Sequence, residues 1–169
     1  DTHGRIDDKV LPSPADQTVY KNQAEEFWDK ILDKIGIFND ALMNQDDAGD
    51  DKRIEIRQEY TLGKPIIQFA LICAIIRLTD PNDDSTRLGL DEVCDRINQV
   101  NWRVDNPMWQ RVLMNGSSVI AGKQSAKYAS RFIAYYLGQQ LDEENELLPL
   151  HKKYVDLIGR DDPLPEPLF

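Results

Sequence analysis

Two pairs of carboxylates have a spacing that metal-dependent hydrolysis uses. Glu26 and Asp29 are three residues apart in one predicted helix, and Glu92 and Asp95 are three apart in a later one. Residues at this spacing share a helix face, and on two facing helices their carboxylates can hold the Mg²⁺ that assists pyrophosphate cleavage. Both pairs also fit the solvated face of an amphipathic helix. A metal-dependent helical nucleotide pyrophosphohydrolase is therefore the alternative function, and not the leading one.

Other catalytic patterns are missing from the sequence. His3 and His151 have no second His or Cys at helical spacing, and Cys73 and Cys94 are not in a C-x-x-C arrangement. Neither a phosphate-binding G-x-x-x-x-G-K-[ST] loop nor a G-x-S-x-G nucleophile motif occurs. We therefore predict no catalytic residue, no metal ligand and no cofactor. The balance favours a protein that is not an enzyme, and the question stays open.

A local excess of positive charge is the clearest binding signal. Residues 101–138 carry five cations against one carboxylate, in a chain with 20 Lys and Arg, 30 Asp and Glu, and a net charge of −10. Three of the cations are spaced four apart and share one face of a predicted helix. We call the four residues of this predicted DNA- or partner-binding surface the cationic ridge: Arg111, Lys123, Lys127 and Arg131. A solvated helix face is the simpler explanation of the same pattern.

The elements that would position these residues are mainly helices. The apolar segment 65–78 has no polar face, so we expect a central helix surrounded by the others, with Phe69 and Ile72 in the core. Asn115-Gly116 lies between two apolar pairs and predicts a short β-hairpin within 111–120. Further helices are predicted at 23–35 after an Asn22 cap, 52–60, 90–99, 123–137 and 149–158, with a loop at 45–51 and a short helix from Pro107.

These elements predict one compact, mainly α domain. Its expected organisation is an extended arm at 1–21, the helical domain at 22–159 and a Pro-rich tail at 160–169. The first residue is Asp1, from which we expect a piece of a longer protein. The absence of a signal peptide or a membrane-length apolar run, together with two unpaired cysteines, predicts a cytoplasmic location and no membrane contact.

Several aromatic and polar motifs follow one another along the chain: Phe27-Trp28, Arg57-x-x-Tyr60, Asn101-Trp102, Asn106-Pro107-x-Trp109, a glycine turn at Gly116 and Leu137-Gly138. This order and spacing resembles the C-terminal half of the DGQHR-domain family, which includes DndB-like DNA sulfur modification proteins. The resemblance covers 24–138, and its most specific part is the Asn-Trp and Asn-Pro-x-Trp stretch within 101–109. The DGQHR signature itself is absent. The residues taken as the structural motif of this resemblance are Arg57, Tyr60, Trp102, Asn106, Pro107 and Trp109.

The resemblance implies a function in bacterial DNA modification by phosphorothioation, or in its regulation. The expected partners are the remainder of a longer chain or a DNA-modification protein, with DNA contacted through the full-length protein. Because the chain is acidic, we expect weak DNA contacts at most. A stand-alone protein-interaction module without any link to DNA is the third hypothesis. We expect Trp102 and Trp109 to be structural, with each indole N–H bound to a backbone acceptor.

Overall fold

The computed structural model describes residues 11–43, 47–82, 87–120 and 123–169. Side chains are not described at 47–49 and 123–124. The helices are α1 (Pro14–Lys34), α2 (Gly36–Met43), α3 (Asp47–Glu59), α4 (Pro65–Leu78), α5 (Leu90–Gln99), α6 (Lys123–Tyr136) and α7 (Leu148–Ile158). Shorter elements are a 3₁₀ turn (Thr61–Gly63), a π-helical turn (Glu143–Leu147) and the strands β1 (Met114–Asn115) and β2 (Ser118–Val119). The predicted mainly helical domain with one short hairpin is confirmed.

The central helix α4 has the predicted bounds, with Pro65 in its first turn. Proline fits there because the first helical N–H has no intrahelical partner. Helix α6 packs along α4, and α5 and α1 complete the core around Ile31, Leu71 and Ile97. One face of α4 is nevertheless open. Phe69 is 62 % exposed, so the expectation that this helix is surrounded, with Phe69 in the core, is wrong.

Helix α1 begins earlier than the sequence indicated. Its N-cap is Ser13, whose hydroxyl accepts a hydrogen bond from the Asp16 N–H at 3.2 Å, and Pro14 occupies the first turn. A serine cap followed by proline is a strong helix start. The Asn22 start and the extended arm are therefore wrong over 14–21, and residues 1–10 of that arm lie outside the described residues.

Three other parts of the chain differ from the expectations. Helix α3 starts at Asp47, so the loop predicted at 45–51 is wrong from there on, and 44–46 are outside the described residues. Residues 107–109 form a turn instead of a short helix. The final helix is preceded by the π-helical turn, which the Asp142 carboxylate caps by accepting from the Asn145 N–H. The helix at 90–99 has the predicted position, and a hairpin lies within the predicted 111–120, with Met114 paired to Val119. Its loop is Gly116-Ser117, one residue later than the Asn115-Gly116 pair, because Asn115 pairs with Ser118.

Candidate functional site

The tryptophan segment is part of the core. The Trp102 and Trp109 rings are stacked, with centroids 5.0 Å apart and planes within 3°. The indole of Trp102 donates to the Ile97 carbonyl, and that of Trp109 donates to the Asn101 carbonyl, each at 2.8 Å. Both rings are almost fully buried. The segment therefore has the backbone-bound indoles that its sequence predicted, and neither ring is accessible for stacking on a nucleobase.

Hydrogen bonds hold this segment against the end of α3. The Thr61 N–H and hydroxyl donate to the Trp102 carbonyl at 2.7 and 3.0 Å, and Tyr60 and Arg103 form a β-bridge. The Arg103 guanidinium lies 5.8 Å from the Tyr60 ring centroid and pairs with Glu59 at 2.8 Å. Main-chain pairing thereby places the chain segments that carry Tyr60 and Trp102, two residues of the motif, side by side.

Asn106 stabilises the turn that follows. Its side-chain amide donates to the Asn101 carbonyl at 2.9 Å, and its side-chain oxygen accepts from the Met108 N–H at 3.1 Å. Pro107 is exposed at this turn. Arg57, the remaining motif residue, is also exposed, and its carbonyl accepts from Lys64 Nζ at 2.6 Å. All these contacts stabilise the local fold.

The cationic ridge is not a single set of free charges. Arg111 has a positive φ of 68°, and its guanidinium donates to the Ile158 carbonyl at the end of α7 at 3.1 Å. A cation at a helix C-terminus satisfies a free carbonyl and the helix dipole, which is a sufficient structural role. On α6, Lys127 is exposed, whereas Arg131 is half-buried and its Nε has no hydrogen-bond partner among the described residues. The Lys123 side chain is not among those that the structure describes.

The carboxylates of the alternative function do not form a metal site. No group of three or more His, Cys, Asp or Glu that could hold a metal occurs within 11–43, 47–82, 87–120 and 123–169. Glu92 instead forms an ion pair with Arg96 at 2.7 Å, while Glu26, Asp29 and Asp95 are exposed. The structure therefore does not gather the two pairs into one coordination sphere, and no observation favours the hydrolase.

An open cleft of about 340 Å³ lies between the turn after Trp102 and the end of α7. Two guanidinium groups line it, those of Arg111 and Arg160. Both are engaged, because Arg111 donates to the Ile158 carbonyl and Arg160 pairs with Asp162. The cleft thus offers an anion no uncommitted guanidinium, and we do not take it as the functional site.

The strongest candidate is an apolar groove that the sequence prediction missed. We define the groove by its lining residues from three helices: Trp28, Leu32, Phe38, Gln68 and Ile72. The cavity within it measures about 120 Å³. For comparison, a cavity of about 150 Å³ binds benzene, so the groove has room for about one apolar side chain.

The groove continues along the open face of α4, which carries Phe69, Ile72, Cys73 and Ile76. These residues follow the i, i+3, i+4, i+7 spacing of a single helix face. Phe69 and Ile76 are 62 % and 55 % exposed, and Trp28 beside the groove is 46 % exposed. Single exposed apolar residues are common, but a contiguous apolar stripe marks an interaction surface. The groove and the open face of α4 together form the candidate site.

Beside the groove, α1 carries carboxylates that are open to a partner and lysines that are already paired within the fold. Asp29, adjacent to Trp28, is exposed and forms no ion pair with any described residue. Glu25, one helical turn before Asp29, has only an exposed pair with Lys21 at 3.5 Å. The cations nearby on α1 are engaged, since Lys30 and Lys34 lie 3.0 and 3.8 Å from the Asp91 carboxylate. The charge left for a partner on the α1 side of the groove is negative.

The cations at both ends of α4 are engaged as well. Arg77 donates to Gln139 at 3.1 Å and pairs with Glu146 at 2.8 Å, and the Lys64 ammonium donates to a carbonyl of α3. Among the described residues of α4, the face from Phe69 to Ile76 therefore carries no charge of its own. The uniformly apolar sequence of α4 is a signal for this site, but a helix that is buried on all sides would have the same sequence pattern.

Comparison of the chain with protein-family models, curated proteins and solved structures gives no match. Within the described ranges, none of the helices is long and apolar enough to cross a membrane.

Proposed function

We propose that this chain is a non-catalytic helical domain that binds a helix of a protein partner through the groove and the open face of α4. The observation that carries the proposal is the apolar stripe beside Trp28, in which Phe69 and Ile76 are exposed and Ile72 and Cys73 are half-buried. Amphipathic helices dock into grooves of this kind through side chains at the same i, i+3, i+4, i+7 spacing. Burial of the aromatic rings supplies most of the stabilisation in such interfaces.

A docking surface agrees with the chemistry of the rest of the chain. The tryptophan segment is occupied with packing, and the cations Arg111 and Arg77 are engaged within the fold. On the open face of α4, by contrast, Phe69 and Ile76 are exposed apolar side chains that the core does not bury. A protein partner suits it because its aromatic and aliphatic side chains are typical of the centre of a protein interface.

The resemblance to the DGQHR-domain family supports a biological setting for this proposal. On that basis the partner is a protein of bacterial DNA modification, or the remainder of a longer DndB-like chain, and the complex acts in phosphorothioation or its regulation in the cytoplasm. DNA is then contacted by the assembled complex. A net charge of −10 makes strong binding of DNA by this domain alone unfavourable.

Site-specific photocrosslinking in cells that produce the protein tests the proposal. A photoreactive residue at position 69 should crosslink to one protein, because Phe69 is more exposed than the other residues of the open face. The matched control is position 148, since Leu148 is a similarly exposed apolar residue on α7. A third probe at position 127, on α6, reports contacts of the cationic ridge. Crosslinks from 127 to DNA, with none from 69 to protein, would contradict the proposal.

A further inference from the structure

The charges beside the groove indicate what kind of helix it binds. We propose that the partner is a basic amphipathic helix, whose apolar stripe lies on α4 and whose Lys or Arg residues face the carboxylates of α1. This inference rests on the proposed function and adds the chemical character of the partner.

The shape of the site supports a helix with one protruding apolar side chain. The cavity of about 120 Å³ between Leu32, Phe38 and Ile72 has room for about one such side chain. Phe69 and Ile76 lie one turn before and one turn after Ile72 on the same face. A docked helix would therefore place one anchor in the cavity and its neighbours at i±3 or i±4 on the open face.

The sign of the charge supports basic residues in that helix. Asp29 and Glu25 are exposed on α1, where each lies three residues before a groove residue, Leu32 and Trp28 respectively. The nearby Lys30 and the Arg77 of α4 are paired elsewhere. Cations of a partner at this edge would meet the unpaired Asp29 and the solvent-exposed Glu25, whose pair with Lys21 is weak, whereas anions would meet like charge.

The same charges disfavour a second copy of this chain as the occupant. A symmetric dimer would place one groove against the other and bring each Asp29 and Glu25 towards an equally acidic surface. Each copy also carries a net charge of −10, so the two repel at long range. A basic helix meets neither obstacle.

A pair of synthetic helical peptides tests the inference. Both have leucines at i, i+3, i+4 and i+7, and the remaining positions are alanine with lysine in one peptide and with glutamate in the other. The readout is the fluorescence of Trp28, which is the exposed tryptophan, because Trp102 and Trp109 are buried. We expect the basic peptide to shift the emission to shorter wavelength and to bind roughly tenfold more tightly at low salt. This difference should shrink at about 0.5 M salt as screening increases.

Matched variants identify the surface. The substitution Asp29→Asn should remove a severalfold part of the preference for the basic peptide. The control Asp156→Asn, an exposed carboxylate on α7, should leave the preference unchanged. Phe69→Ser with Ile76→Ser should abolish binding of both peptides, and circular dichroism checks that this variant is folded.

Each contrary outcome has a distinct meaning. Equal or tighter binding of the acidic peptide, still lost in the Phe69→Ser and Ile76→Ser variant, would overturn the basic partner and leave the proposed docking function standing. Failure of both peptides to bind would overturn this inference, and the crosslinking experiment would separately decide the docking function. An emission shift with zwitterionic lipid vesicles alone, or self-association of the chain at rising concentration, would also overturn it in favour of a membrane or a second copy.

Discussion

Replacing Trp109 with alanine should greatly lower the free energy of unfolding of this domain. The ring is fully buried and stacks on the Trp102 ring. It also contacts the rings of Phe132 and Tyr136 edge-to-face, with ring centroids 6.3 and 6.1 Å apart. Truncating a buried tryptophan to alanine costs about 3–5 kcal/mol. The lost indole hydrogen bond adds little, because the Asn101 carbonyl still accepts from the Asn106 side chain.

Urea unfolding followed by circular dichroism measures this loss. With a slope of about 1–3 kcal/mol per molar urea, the transition midpoint should fall by at least about 1 M. Trp28→Ala is the matched control, because its ring is 46 % exposed and its loss should cost only about 1–2 kcal/mol. A cost below about 1 kcal/mol for Trp109→Ala would refute the packing argument for the tryptophan segment.

Three further predictions follow from individual contacts. Gly63→Ala should lower stability by about 1–3 kcal/mol in urea unfolding, because the added Cβ would lie 2.7 Å from a Cα of α3. Cys73 should react with a thiol reagent in the native protein and Cys94 only after unfolding, since Cys94 is buried and burial raises its thiol pKa. The hydrogen bond from Lys30 lowers the pKa of Asp91, so this pair stabilises the fold at neutral pH and the contribution disappears as the pH falls through that lowered value. Lys30→Met should return the Asp91 pKa towards its ordinary value in an NMR titration, and an unchanged value would refute the pairing.

Local sequence signals predicted the elements with strong endpoints. Pro65 defines the start of α4, because its fixed φ suits a first helical position. The hairpin lies where Asn115-Gly116 predicted one, but of these two residues only Gly116 has the positive φ that the turn requires, and Asn115 belongs to β1. The start of α1 was missed because Ser13-Pro14 was interpreted as part of an extended arm, although the same two residues form a helix cap. The acidic residues at the start of α3 likewise favour a loop if only their charge and the glycine among them are considered.

The candidate site could not be predicted from local sequence signals, because it depends on how the helices pack. The sequence shows that α4 is apolar on every side, but which side remains uncovered depends on where α1 and α6 pack. Arg111 shows the same limit, because its charge is evident in the sequence while its bond to the Ile158 carbonyl requires the tertiary fold. The tryptophan segment was more predictable, since large aromatic residues usually belong to a core.

The accessibility of Cys73 in cells tests the central claim most directly, because this thiol lies on the open face of α4 between Phe69 and Ile76. The measurement is the rate of Cys73 alkylation in the purified protein and in a gentle extract of the cells that produce it. If a protein helix covers this face, alkylation should be several times slower in the extract, and the Phe69→Ser and Ile76→Ser variant should recover the rate of the purified protein. Equal rates in the purified protein and the extract would show that nothing covers the face and would contradict the proposed docking function.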